Sequence, residues 1–447
     1  MNEGLKAVDY EKEKGLNMIR KKCVVTTAVA VMMAVALAGC GASANNTTGN
    51  EITSTIGSAS GSTSGNASSS SSSSNATGSV VATGDSEIFT ERDLEQQADL
   101  SDATNLTVTS GQDITITKKG VYVISGTATD CTIIVEAVDD EKVQLVLDGV
   151  SITNTDAPAV YVKSGDKVFV TTTSGSTNTF STTGTFVADG ETNLDAVIFS
   201  KSDLVLNGLG TLNITSTKAN GIACKDDLKV TGGTYQITSA EDSIEANDSI
   251  SICDGTFTIT SSKDAIHCEY DEDDTVGSVY ISGGTFNISA VDDGIQATTI
   301  AQIEGGTIHI TKCVEGIEGT YVLINGGTID IASSDDGINA SKKSTAYTVQ
   351  IEFNGGDTTI VMGAGDTDAV DANGNITVNA GNITITGQSS FDFDGTGVIN
   401  GGTVIVNGSQ ITTMPTQMMG GGGAGGMGGG NANGNAGGMK GNGNMRW

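Results

Sequence analysis

Five acids recur at one place in a repeated phrase. Asp242-Ser243-Ile244, Asp264-Ala265-Ile266, Asp293-Gly294-Ile295, Glu315-Gly316-Ile317 and Asp336-Gly337-Ile338 each set a carboxylate before a small residue and an aliphatic one. If the repeats stack as neighbouring strands, these acids form a column at about 4.8 Å per step. Such a column requires cations. Asp195, Asn220 and Asp368 extend it, Glu241, Asp292 and Asp335 stand just before it, and Glu245, His267, Gln296, Glu318, Asn339 and Asp371 lie three positions on, facing outward. Calcium takes six to eight oxygens at about 2.3–2.6 Å, so an ion between adjacent repeats can draw on both. The predicted ligands are Asp242, Asp264, Asp292, Asp293, Glu315, Asp335, Asp336, Asp368 and Asp371, with several Ca2+ ions bound. Magnesium fits less well, because it demands a tighter octahedron and retains water. His267 and His309 are the sole histidines, too few for a zinc centre. Any single Asp here also reads as a turn cap, since Asp and Asn bond nearby backbone; the doublets Asp292-Asp293 and Asp335-Asp336 favour the ion.

A second chemistry is available beside a calcium column. A lysine of lowered pKa could abstract the proton α to a sugar carboxylate, with the metal acidifying it. The candidates are Lys218, Lys263 and Lys312, although neighbouring carboxylates raise a lysine's pKa and oppose that role.

These acids must be positioned by the repeat, of roughly 22 residues, that carries them. Each copy opens with a phrase of one kind: GGTYQIT at Gly232, DGTFTIT at Asp254, GGTFNIS at Gly283, GGTIHIT at Gly305 and GGTIDIA at Gly326. Period-2 alternation puts Tyr235 and Ile237, Phe257 and Ile259, Phe286 and Ile288, Ile308 and Ile310 on one face. A copy buries two or three short strands and cannot close a core alone, so stacking is expected. The predicted fold is all-β, a right-handed parallel β-helix, a solenoid with coils of about 22 residues, its handedness taken from the crossover rule. Tyr235, Phe257 and Phe286 should form an interior aromatic ladder. Insertions at His267–Gly277 and Ser341–Tyr347 should emerge as loops beside a binding face. Cys224 and Cys268 take a column held by alanine in other copies, two steps apart and beyond disulfide reach.

Composition bounds the rest. The 447-residue chain has a net charge of −31, 61 glycines and 4% aromatics. That balance excludes nucleic acid as a partner, because the protein's own field repels a polyanion. It favours bound cations, or a partner reached through them. Residues 1–40 read as a lipoprotein signal: Arg20-Lys21-Lys22, an apolar stretch from Cys23 to Ala36, then Leu37-Ala38-Gly39-Cys40 with lipidation at Cys40. Met18 is a plausible true start. Residues 41–84 form a Ser/Gly-rich flexible tether, 86–413 the β domain, and 414–447 a Gly/Asn/Met-rich tail with no core-forming residues. The expected location is extracytoplasmic, lipid-anchored to the bacterial membrane, with the chain a monomer.

The lipobox, the Ser-rich tether, the repeated GGTxxI and DDGI phrases, SFDFDGTGVINGGTV around Phe391 to Val404 and the Gly/Met tail together resemble one family. It is the surface-anchored bacterial carbohydrate-binding β-helix proteins, related in fold to pectate lyases. The resemblance implies a pectate-lyase-like fold with several calcium ions and recognition of polygalacturonate-like plant polymers and cellulose. It also implies that Asp392 and Asp394, with the DDGI acids, are calcium ligands. Asn220-Gly221-Ile222, Glu315-Gly316-Ile317 and Asp264-Ala265-Ile266 depart from DDGI. The expected function is a cell-surface binder in which calcium bridges protein and uronate carboxylates. The alternatives are a calcium-dependent polysaccharide lyase and a surface spacer or adhesin. Few aromatics are expected outside the core, so cellulose binding rests on the resemblance alone.

Overall fold

The computed structural model describes residues 85–364 and 367–415. The predicted signal with Cys40, the predicted tether and nearly all of the expected tail lie outside the described residues. Strands run from Thr104 to Ile411, and every pairing between them is parallel except the last, Thr403–Val406 with Ser409–Ile411. Parallel pairing follows from the repeat: each copy returns to the same point one strand spacing further on, so like residues meet like.

The register makes this literal. Tyr235 stands opposite Phe257, Phe257 opposite Phe286, Phe286 opposite Ile308 and Ile308 opposite Ile329. On the other side of the core, Ile222, Ile244, Ile266, Ile295, Ile317, Ile338 and Val370 form one unbroken row. All of these side chains are buried, and each fully buried large one contributes about 1.5–3 kcal/mol. The aromatic ladder is present, with ring centroids 5.1 Å apart for Tyr235–Phe257 and 4.6 Å for Phe257–Phe286. Cys224 and Cys268 pair with Ala246 from opposite sides, and both are free and buried.

The all-β expectation holds, but the right-handed, pectate-lyase-like solenoid of uniform coils is corrected. The strands sort into one 20-stranded sheet and one separate 12-stranded parallel sheet. Long strands such as Asp227–Ser239, Ser249–Ser261 and Gln350–Met362 run through a bend and join two ladders into the larger sheet. The step between paired residues is also uneven, from 18 (Thr104 opposite Tyr122) to 38 (Val160 opposite Ile198). The physical reason is the glycine in second place of each GGT-like phrase. Gly233, Gly255 and Gly356, inside those long strands, sit at φ of +98°, +131° and +77°, a region L side chains avoid, and a Cβ on Gly356 would come 2.8 Å from the carbonyl oxygen of Gly327. Glycine thus bends the strand without ending it.

A segment ahead of the first strand packs on the larger sheet. Asp93 is fully buried and ion-paired to Lys167 (3.4 Å) and Lys229 (3.8 Å), while Arg92 lies 4.5 Å above the Phe169 ring. The two insertions meet each other: Thr345 donates from its backbone N–H to Asp274 at 3.1 Å.

Candidate functional site

The acidic column lies where each repeat enters the 12-stranded sheet. Its first role is structural. Asn220 Oδ1 accepts the backbone N–H of Asp242 (2.8 Å), Asp242 Oδ1 that of Asp264 (3.0 Å), Asp264 Oδ1 that of Asp293 (2.8 Å), and Asp293 Oδ1 that of Glu315 (3.3 Å). Asp336 does the same for Asp368 at 3.2 Å. One side-chain oxygen per repeat therefore satisfies the next repeat's backbone, which explains why Asp and Asn both serve here. The second oxygen is left for other partners: Lys263 donates to that of Asp242 and Gln296 to that of Asp293 at 3.3 Å.

Along the column the carboxylate charge is compensated unequally. At the Asp242 end, Lys263 donates to Asp242 Oδ2 at 2.9 Å and His267 Nδ1 lies 3.1 Å from the same atom. Burial works to raise the Asp242 carboxyl, yet the bonds from His267 and Lys263 hold it below its ordinary value. His267 is itself gripped by Glu269 at 3.0 Å on its other nitrogen. Further on, such cations thin out. Burial, then Glu315, Asp264, Glu318 and Asp292, push Asp293 up to about 8. Burial and Glu318 push Glu315 to about 7, and burial carries Asp336 to about 7. Asp371 rises to about 6 through burial, Asp392, Asp368 and Asp394.

The structure gathers the predicted ligands into definite groups. Asp264, Asp292 and Asp293 offer oxygens within 4.8 Å of one another, and so do Asp293, Glu315 and Glu318. Asp242 and Asp264 meet with His267 in a third group of that kind. Asp335 is exposed and joins none of them, nor among the described residues do Asp336, Asp368, Asp371, Asp392 and Asp394. Glu318 is the most telling addition. It is 5% exposed, receives Lys343 at 2.8 Å, and neighbours Asn339, whose Oδ1 is buried without a partner while its Nδ2 donates to Glu315 at 3.0 Å. Three carboxylates thus stand together beside Lys343, with Gln296 and Ser341 also donating to Glu318 at 2.8 and 2.9 Å, and such a carboxylate set suits a hard cation such as calcium.

The lysines separate clearly. Lys263 is tied to Asp242, and although burial lowers its pKa, that bond and the charges of Asp242 and Asp264 raise it overall, which opposes a basic role. Lys218 is exposed at the rim of a groove, and Lys312 is exposed away from it. Sequence reasoning missed Lys225, which pairs with Glu245 at 2.8 Å, and Lys343. Lys225 had a signal: it follows Cys224 as Asn247 follows Ala246 and Glu269 follows Cys268, a further outward position of the repeat. A separate acidic group, Asp203, Asp226 and Asp227, was also missed because it lies outside the repeated phrase.

Beside the Asp242 end runs a groove of about 670 Å³. Lys218, Lys225, Lys263, His267, Glu245 and Tyr270 line it, among others. Tyr270 comes from the first insertion, and its hydroxyl donates to Glu272 at 3.0 Å.

Comparison with known proteins adds a family. Residues 110–369 match the family described as "Carbohydrate-binding domain-containing protein". A curated protein of that description from Acetivibrio thermocellus is 36% identical over 130 residues, which is 29% of this chain. The match spans about half, 46%, of that relative's length. Among solved structures, a polysaccharide lyase-like protein from C. thermocellum, in a gadolinium derivative, is 30% identical with a TM-score of 0.44. It covers 46% of this chain and 90% of the other.

Proposed function

The chain belongs to the carbohydrate-binding domain-containing protein family, and from that premise we propose that it binds acidic plant cell-wall polysaccharide through calcium. Polygalacturonate is the first polymer and cellulose the second. In this reading it is a lipoprotein, held by Cys40 at the outer face of the bacterial membrane, with the tether giving the domain reach. The observation that carries the proposal is the group Asp293, Glu315, Glu318 and Asn339. Three carboxylates there face one lysine, and burial, together with their neighbours' negative charge, pushes Asp293 and Glu315 up to about 8 and about 7.

A calcium ion held by Asp293, Glu315 and Glu318 would supply positive charge and could complete its coordination with oxygens from outside the protein. Carboxylates of the polymer can provide them, which answers how a chain of net charge −31 could hold a polyanion. Asp264 and Asp292 extend the same arrangement one repeat back. At Asp242, Lys263 and His267 already provide the cation, so the metal belongs further along. The same pairing weighs against a lyase, since Lys263 holds its proton tightly and Lys312 stands clear of the groove.

Co-sedimentation of the chain with insoluble polygalacturonate, in calcium and in chelator, tests the reading. Binding in calcium that disappears in chelator, with no unsaturated product released, is the expected result. Release of unsaturated product would establish a lyase, and no sedimentation in either condition would leave a spacer or adhesin.

A further inference from the structure

Both oxygens of Glu318 are already taken twice by the protein itself. Oε1 accepts from the Ser341 hydroxyl at 2.9 Å and from Asn339 Nδ2 at 3.4 Å. Oε2 accepts from Lys343 Nζ and from Gln296 Nε2, each at 2.8 Å. A carboxylate offers about four lone-pair sites, so an ion reaches Glu318 only by replacing one of these four donors.

Which donor yields follows from where each is held and what charge it carries. Gln296 and Asn339 stand in Ile295–Ala297 and Ile338–Ala340, short strands paired on both sides within the 12-stranded sheet, and both amides are neutral. Ser341 is neutral too. Lys343 comes from the second insertion, outside the sheet, and brings the single positive charge among the four. Burial works to lower the pKa of that ammonium, yet the bond from Glu318 and the charges of Asp293 and Glu315 raise it overall, so it answers all three carboxylates. A calcium at about 2.3–2.6 Å on Oε2 would stand no more than about 5.4 Å from the ammonium 2.8 Å away on the same atom, where like charges repel.

The lysine can leave without unravelling its loop. The backbone N–H groups of Lys343 and Ser344 both donate to Thr320 Oγ1, at 3.1 and 2.9 Å, and Thr345 N–H is held by Asp274 at 3.1 Å. With the backbone fixed in this way, rotation of the flexible four-carbon stem alone frees the ammonium.

We propose that Lys343 is a built-in competitor for the metal: in the metal-free chain its ammonium occupies Glu318 Oε2, and calcium binds by displacing it to solvent, so that this lysine sets the calcium affinity of the site. The inference rests on the calcium reading above and names how that same site is regulated.

The test is single-hit acetylation of the whole chain, read by mass spectrometry, with the exposed neighbour Lys342 as internal reference. In chelator Lys343 reacts at least about tenfold more slowly than Lys342, because its ammonium is held by Glu318. In saturating calcium the two rates converge, with that of Lys342 unchanged. Calorimetric titration adds the affinity: Lys343→Met binds calcium about tenfold more tightly, equivalent to about 1.4 kcal/mol, whereas Lys342→Met stays within about twofold of the native chain. Calcium that binds the native chain while Lys343 stays protected overturns the inference, and so does an affinity that Lys343→Met leaves unchanged or weakens; either result leaves the calcium reading standing. Absence of calcium binding in the native chain removes both. The acetylation arm uses the native protein, so it decides the matter even if Lys343→Met fails to fold.

Discussion

The raised carboxyl of Asp293 makes a quantitative prediction about the metal-free chain. Burial and four acidic neighbours push it from 3.8 to about 8. Between those values the folded chain holds a proton that the unfolded chain has released. Stability in chelator is therefore full below pH 4 and falls as pH rises toward 8. At 1.36 kcal/mol per pH unit, the interval from 3.8 to about 8 sets the loss on the order of 5 kcal/mol. Asp293→Asn removes it. The amide oxygen can still accept the Glu315 N–H, as Asn220 Oδ1 accepts that of Asp242 at 2.8 Å. Urea unfolding in chelator should then show the two proteins within about 2 kcal/mol of each other at pH 5. At pH 9 the variant should be the more stable by several kcal/mol, with a visibly flatter pH dependence. Parallel pH profiles, or a variant weaker at both pH values, would refute the account of uncompensated charge.

Two further outcomes follow from the packing. Phe257→Ala opens a gap in the middle of the aromatic ladder, between rings centred 5.1 and 4.6 Å away, and should cost about 3–5 kcal/mol by chemical denaturation. Lys263→Met removes the ammonium from Asp242, which is 3% exposed; because the lysine is partly solvated and His267 remains, the loss should be about 1–2 kcal/mol, and it should create a calcium site by titration where the native chain has a protein cation.

Much of this was legible because the repeat is short and strict. The inward residues Tyr235, Phe257 and Phe286 and the row from Ile222 to Ile338 follow from alternation alone, as does the column of acids. Pairing steps upstream of Asn220 were not legible, since the copies there are degenerate and the connections long. The sorting into two sheets escaped the sequence for another reason. A positive-φ glycine reads as a break, whereas at Gly255 and Gly356 it bends a strand that continues on both sides. Charge compensation was invisible too. Lys225, Lys343 and His267 reach acids of neighbouring repeats, and contacts at those separations depend on register rather than on local spacing. The Asp93 latch lies furthest out of reach, tying a segment before the first strand to lysines 74 and 136 residues away (167 − 93 and 229 − 93).

Calorimetric titration of calcium into the metal-stripped chain at pH 7, repeated in two buffers of different ionisation enthalpy, tests the central claim most directly. The account predicts saturable binding with net proton release from Asp293 and Glu315, and loss of that binding event in the Asp293→Asn, Glu318→Gln double variant. Absence of calcium binding, or the same affinity and proton release in the double variant, would contradict it.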